Sequence, residues 1–387
     1  MEYDNLLTGT AKNLKPSGIR KFFDVAERIP DAIALGVGEP DFKTPWHIRQ
    51  AAIDALSKGQ TRYTSNAGLM PLRNEIASYM NRKFSLNYDP ATEITVTVGG
   101  SEAIDNIIRS VVSFGDEVLI PEPSFVCYAP LTELAGGRPV ILPTYEKDGF
   151  KLTPDTLKKA ITEKTKLLIM PYPNNPTGAL MEKEDYEKIA AVLKGTNILV
   201  LADEIYIELN YSNAPLFSFA QTDGMKERTI VVNGFSKTYA MTGWRIGFAC
   251  GPKEIMKAVL KIHQYGIMCA PTVSQYAAIE AMKNGDEDIE YMRQNYNMRR
   301  CFLLDAFRSL SVPCFEPKGA FYVFPNISAF AESSEKFCSD FLEKAHVAVV
   351  PGSAFGESGE GFIRISYAYS LDHLKKAVDR LEKYIKR

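Results

Sequence analysis

The chain reads as an α/β protein: a large domain on a mostly parallel sheet flanked by helices, joined to a smaller α+β domain. Three observations predict this. Apolar, β-rich runs recur at 117–120, 139–142, 166–170, 197–201 and 229–232, and helical patterns or turns separate most of them; such runs suit strands covered on both faces. Polar residues capable of chemistry follow the ends of three of these runs, where open α/β sheets bind ligands. After about residue 285, long charged helical stretches alternate with short strands. The length of 387 residues suits two domains better than one core. The expected division is an N-terminal arm and part of the small domain over 1–45, a large domain over 46–285, and a small domain over 286–387.

In chain order, the first forty residues are mostly irregular, with a short strand at 33–37 that breaks into Gly38-Glu39-Pro40. Ile48, Ala52, Ile53 and Leu56 recur at helical spacing over 45–57, and a second amphipathic helix is expected over 72–84. Between them lies a polar loop carrying one aromatic, Tyr63. The β-branched run 93–98 ends in Gly99-Gly100-Ser101 and passes into a helix with Ile104, Ile107, Ile108 and Val111 on one stripe. A strand, a Gly-Gly-Ser turn and a helix present backbone N–H groups at a helix N-terminus, a geometry that suits an anion. By itself such a turn more often only turns. In the last part, strands are expected at 320–324, 347–350 and 362–366, and helices at 289–310, 334–345 and 371–386.

One stretch carries the most chemistry: Val232-Asn233-Gly234-Phe235-Ser236-Lys237-Thr238-Tyr239-Ala240-Met241-Thr242-Gly243-Trp244-Arg245. A lysine whose pKa is lowered by its surroundings attacks aldehydes, and an arginine fork suits phosphate. Together they describe a site for an aldehyde bearing a phosphate, which is pyridoxal phosphate.

Composition narrows the classes. Hydrophobic residues make up 45% and charged residues 24%, with a net charge of −2, so neither nucleic acid nor an acidic membrane is an expected partner. The six cysteines are scattered without a C-x-x-C pair and read as buried thiols of a reduced compartment. The four histidines lie far apart, so no metal spacing is visible. The start lacks a signal-like pattern, and cytoplasmic is the expected location.

Four separated stretches, Ser236-Lys237 with Arg245, Asp203-Glu204-Ile205-Tyr206, Asn175-Pro176-Thr177-Gly178 and Phe362-Ile363-Arg364-Ile365-Ser366, resemble in order and spacing the fold-type I, class I/II aminotransferases. The resemblance covers nearly the whole chain and looks closest to aromatic and N-acetyl-diaminopimelate aminotransferases. It implies the aspartate aminotransferase-like fold, pyridoxal 5'-phosphate as cofactor, and a homodimer with shared active sites. It makes Lys237 the attachment and proton-shuttling amine. Asp203 would face the pyridine nitrogen, Tyr206 and Asn175 the phenolate oxygen, and Phe125 the ring face. The phosphate would be held by Gly100, Ser101 and Glu102 through backbone or hydroxyl, by Ser236 and Arg245, and by Tyr63 of a second subunit. Arg364, with Gly38 and Asn175, would take the substrate α-carboxylate.

The activity so implied moves an amino group from an L-amino acid to a 2-oxo acid such as 2-oxoglutarate. A carbon–sulfur β-lyase is the rival on the same machinery, distinguished by release of pyruvate and ammonia. A non-enzymatic regulator is disfavoured, since such relatives carry an N-terminal DNA-binding domain for which this chain leaves no room before Gly36. Ser101 stands where one aspartate-selective subgroup has lysine, so aromatic donors are expected, with aspartate or N-acetyl-diaminopimelate as runner-up.

Overall fold

The computed structural model describes residues 3–16, 18, 29, 31–212 and 214–386. Part of the region expected to be irregular lies outside the described residues. What is described there includes a short helix, Gly9–Asn13, and the two-residue strand β1 (Ile33–Ala34).

Seven strands form the central sheet: β2 (Ile94–Thr97), β3 (Glu117–Glu122), β4 (Arg138–Pro143), β5 (Thr165–Met170), β6 (Leu199–Asp203), β7 (Thr229–Gly234) and β8 (Gly247–Cys250). Their order is β2-β8-β7-β6-β5-β3-β4. All neighbours are parallel except at β8, which runs antiparallel to both β2 and β7. The expected mostly parallel sheet is therefore present. β5 and β7 have hardly a solvent-facing position, which explains why their sequences read as continuous apolar runs rather than as alternation. Helices pack on the sheet faces: Ile104, Ile107 and Ile108 of Gly100–Val111 join Met256 and Val259 of Lys253–Gly266 in one cluster, and Trp46–Ser57, Met70–Phe84 and Thr272–Asn284 build another.

β8 and the helices Lys253–Gly266 and Thr272–Asn284 are absent from the expectations above. β8 has a physical consequence for the site. It returns directly beside β7, with Gly234 paired to Gly247, so the Lys237 stretch is the connection between two adjacent antiparallel strands and both its ends are pinned. Gly247 also meets the turn after β2. A Cβ there would lie 2.8 Å from the Gly99 carbonyl carbon and 2.9 Å from the Gly100 nitrogen. Only glycine lets the two loops share one end of the sheet.

Beyond the sheet, β9 (Tyr322–Val323), β11 (Val350–Pro351) and β12 (Ile363–Ser366) form an antiparallel three-stranded sheet, while β10 (Val347–Ala348) pairs in parallel with β1. The run expected as one strand over 347–350 is thus two strands in different sheets. The helices Asp286–Ser309, Ser334–Ala345 and Leu371–Ile385 contribute Leu303, Phe341 and Leu374 to one apolar cluster with these strands. All six cysteines are free, but only Cys250 and Cys338 are buried and Cys301 is exposed, which corrects the expectation of uniformly buried thiols. Among the described residues no helix is long and apolar enough to cross a membrane.

Candidate active site

A cavity of about 400 Å³ opens at the carboxyl ends of β5, β6 and β7, under the segment that follows β1. Lys237 reaches it from the β7–β8 connection, on the short helix Phe235–Thr238. Its Nζ donates to the Gly38 carbonyl at 2.6 Å. Burial lowers its pKa to about 8, the charges of Arg364 and Arg245 act in the same direction, and Glu39 opposes them. An amine near that value is part neutral, and so nucleophilic and basic, at physiological pH.

Asp203 ends β6 with its carboxylate buried. One oxygen accepts from Tyr128 Oη at 2.6 Å and the other from the Ile205 N–H at 3.2 Å. Burial raises its pKa, and these two bonds offset part of the rise. A cationic partner would favour its charged form. Tyr206, on the turn after β6, shares a 2.8 Å hydrogen bond with Tyr322 Oη.

Asn175 is placed by its neighbour. The Asn174 side-chain oxygen accepts from the Thr177 backbone N–H and hydroxyl at 3.1 and 2.8 Å, a local Asx turn. Asn175 Oδ1 then accepts from Arg364 Nη1 at 2.8 Å, and Arg364 Nη2 donates to the Gly36 carbonyl at 2.5 Å. Arg364 is 2% exposed and lies between two rings, with its guanidinium carbon 4.5 Å from the centre of Tyr322 and 4.7 Å from that of Phe355. Its Nε has no hydrogen-bond partner among the described residues. A buried guanidinium with a donor to spare is suited to a carboxylate. Gly38 follows the same logic of close approach, since a Cβ there would sit 2.2 Å from Tyr322 Oη.

At the other end, the helix Gly100–Val111 starts with no side-chain cap, so its first N–H groups have no local acceptor of that kind. Gly99 has φ +79°, and a Cβ there would meet Arg245 Nη2 at 2.6 Å. Arg245 therefore lies directly over the turn, beside Ser101 and Ser236 in the cavity wall. Phe125 lines the same cavity, edge-on to Tyr128 with ring centres 6.1 Å apart.

Gly38, Gly100, Ser101, Phe125, Asn175, Asp203, Tyr206, Ser236, Lys237, Arg245 and Arg364 thus converge on one cavity. Two predicted residues do not line it. The Glu102 side chain turns back to the Val98 N–H, leaving only its backbone toward the turn. Tyr63 is 82% exposed on the outer surface. Sequence reasoning missed Tyr128, Tyr322 and Phe355. Their contacts to Asp203, Tyr206 and Arg364 join distant parts of the chain, and no local signal marks them as part of the site.

The sequence profile described as aminotransferase class I and II matches residues 30–381. The chain belongs to the class I and II aminotransferases. Among its relatives, a protein of Bacillus subtilis named a probable N-acetyl-LL-diaminopimelate aminotransferase is 45% identical over 99% of this chain and 96% of its own. An aspartate aminotransferase of Pyrococcus abyssi is 46% identical over 96% of both chains. The crystal structure of the aromatic aminotransferase from Pyrococcus horikoshii is 46% identical, with a TM-score of 0.90 over 94% of this chain and 98% of that one. This aminotransferase is thus a transaminase of the fold-type I class, a class that uses pyridoxal phosphate. Relatives named for three different donors stand at almost equal identity, so overall similarity does not select among those donors.

Proposed function

We propose that this aminotransferase holds pyridoxal 5'-phosphate in the cavity and moves the amino group of L-amino acids, aromatic ones preferred, to a 2-oxo acid such as 2-oxoglutarate. The residues present fit that cofactor: a basic lysine, a buried carboxylate short of a cationic partner, and an uncapped helix start under an arginine. Bound there, the cofactor supplies an electron sink for the carbanion left when the substrate Cα loses its proton.

Lys237 Nζ would be the amine that holds the cofactor aldehyde, and, when free, the base that takes a proton from the substrate Cα and returns it. Asp203 would favour the protonated, charged form of the ring nitrogen. Tyr206 and Asn175 would donate to the phenolate oxygen, and Phe125 would cover a ring face. The N–H groups of Gly100, Ser101 and Glu102, with Ser236 and Arg245, would hold the phosphate, and Tyr63 of a second subunit would complete that site in a homodimer. Arg364 takes the α-carboxylate through Nε and Nη, with Gly38 close by.

One observation carries the donor preference. Among the described residues the cations of the cavity wall are Lys237, Arg245 and Arg364, and each already has a role. The rest is largely apolar, with Val37, Ile104, Phe125 and Ile205. A second substrate carboxylate finds no cation of its own, and an unpaired buried carboxylate is costly, whereas an aromatic ring is accommodated. Backbone N–H groups and hydroxyls still admit the second carboxylate of 2-oxoglutarate.

The test is kcat/KM for phenylalanine, tyrosine, tryptophan, aspartate and N-acetyl-diaminopimelate with 2-oxoglutarate in excess. Aspartate ahead of phenylalanine by about tenfold, roughly 1.4 kcal/mol, reverses the ranking. The pairing of β1 with β10 supports assigning 1–45 in part to the small domain, with 46–285 as the large domain and 286–387 as the rest of the small one. Free cysteines suit a reducing compartment, the cytoplasm.

A further inference from the structure

We propose that Glu102 and His263 form a positioning pair that sets the shape of the turn between β2 and the helix Gly100–Val111, and thereby how tightly that turn holds a phosphate. The inference rests on the reading of this turn as the phosphate site. Neither side chain lines the cavity, so the pair acts from behind.

Glu102 stands in the first turn of its helix. One carboxylate oxygen accepts from the Val98 N–H at 2.5 Å. The other accepts from Asn106 Nδ2 at 2.5 Å and lies 2.7 Å from His263 Nδ1. The carboxylate thus ties the end of β2 to the body of the helix, across the residues whose N–H groups face the cavity. His263 comes from a different helix, Lys253–Gly266, which packs against this one. It is 0% exposed, and its Nε2 has no partner among the described residues.

That orphaned nitrogen is informative. An imidazolium would bury an unpaired N–H, whereas a neutral ring donating from Nδ1 leaves only a lone pair without a partner, the less costly arrangement. A leucine would fill the same space with no orphaned atom at all. The histidine is accounted for by what Nδ1 does, which is to give the largely covered Glu102 carboxylate a second fixed donor beside Asn106 Nδ2.

Beside its backbone contact with Gly247, the turn has few polar ties of its own. Gly99 has φ +79°, the helix lacks a side-chain cap, and one internal bond, from Thr97 Oγ1 to the Gly99 carbonyl at 3.0 Å, braces it. Arg245 lies over the cavity side. Glu102 and His263 are the counterpart on the far side, and without them the N–H groups lose their common aim.

The experiment measures binding of inorganic phosphate, and separately of pyridoxal phosphate, to the cofactor-free enzyme by calorimetry. It compares the parent with His263→Leu, His263→Asn, Glu102→Gln and Arg245→Ala. His263→Leu is expected to weaken phosphate about tenfold or more. His263→Asn, which keeps a donor near the Nδ1 position, should recover most of that loss. Turnover of His263→Leu at saturating cofactor should stay within about twofold of the parent, because the reacting groups are untouched. Parental phosphate affinity in His263→Leu, or equal weakness in His263→Asn, overturns the pairing. Should His263→Leu not fold, Glu102→Gln decides alone: it replaces one of the two accepting oxygens by an NH2 donor, so the bonds to Val98 and to Asn106 and His263 cannot all be kept, and unchanged affinity refutes the proposal. Arg245→Ala separates the two readings. If it loses phosphate while the His263 variants do not, only the pair falls; if it too binds normally, the turn is not the phosphate site.

Discussion

A guanidinium buried between Tyr322 and Phe355 with an unsatisfied Nε is the residue whose chemistry is hardest to replace. Lysine in its place would bring one compact charge that cannot reach Asn175 and the Gly36 carbonyl together and still present a fork. Arg364→Lys is therefore expected to lower kcat/KM on the order of 10²-fold for every donor tested, with the cofactor's absorbance unchanged. Steady-state kinetics beside a spectrum of the loaded enzyme checks this, and equal loss of cofactor would point to a folding defect instead. At this scale the sequence was informative wherever a residue sits in a local motif. Lys237, Asp203, Asn175 and Arg364 are each embedded in a short recognisable run. Tyr128 and Tyr322 were not visible, because their meaning comes from partners 75 and 116 positions away, and a lone tyrosine in an apolar run reads as core.

At the scale of elements, the β7–β8 connection does most to build the site. It brings Lys237 to one side and Arg245 to the other because its ends are paired at Gly234 and Gly247. The turn after β2 rests on Gly247, backbone against backbone. Gly247→Ala offers no flexible side chain that could yield, so the turn or β8 must shift. A loss of about 1–3 kcal/mol is expected, together with weaker phosphate binding, read from urea unfolding and from titration of the cofactor-free protein. Parental values for both would mean that the two loops are not in firm contact. Parallel strands buried on both faces were legible as apolar runs. β8 was not, since Gly247-Phe248-Ala249-Cys250 is short, follows immediately on the motif, and has too few residues to show a period. The separation of β10 from β11 was equally hidden: one continuous apolar run serves two sheets, and only the presence of β1 beside it decides the break.

For the whole molecule, the part-buried Lys237 has a cost that depends on pH. In the folded, cofactor-free protein Lys237 is lowered to about 8 from an ordinary 10.5. Between those values the unfolded chain binds more protons, so stability rises with pH through that window. Lys237→Met removes this dependence. It should be about 3 kcal/mol more stable than the parent below pH 8, less whatever the Gly38 bond returns, with the gap closing by pH 10.5. Urea titrations at pH 7 and pH 10 measure it, and a gap independent of pH would mean the amine is not strained by burial. The second molecular feature is the Tyr63 loop. Its neighbours are tied to the helix Thr272–Asn284, by Thr272 Oγ1 donating to the Arg62 carbonyl at 2.7 Å and Gln275 Nε2 to Thr64 Oγ1 at 3.1 Å. The loop is thus held in place while its ring projects outward. Asn66 Nδ2 ties it to the Met268 carbonyl at 2.8 Å, next to exposed Ile267 and Tyr265. A fixed loop presenting uncovered apolar side chains suits contact with a second copy, where Tyr63 would reach the partner's phosphate. In a two-fold dimer each site would then draw on both chains. A Lys237→Ala chain retains Tyr63, and a Tyr63→Ala chain retains Lys237. Co-refolding equal amounts should give activity above the sum of the separate variants, approaching about a quarter of the parent, because half the dimers are mixed and each has one complete site. Full activity of Tyr63→Ala alone, or of a monomer in sedimentation, would refute the shared site.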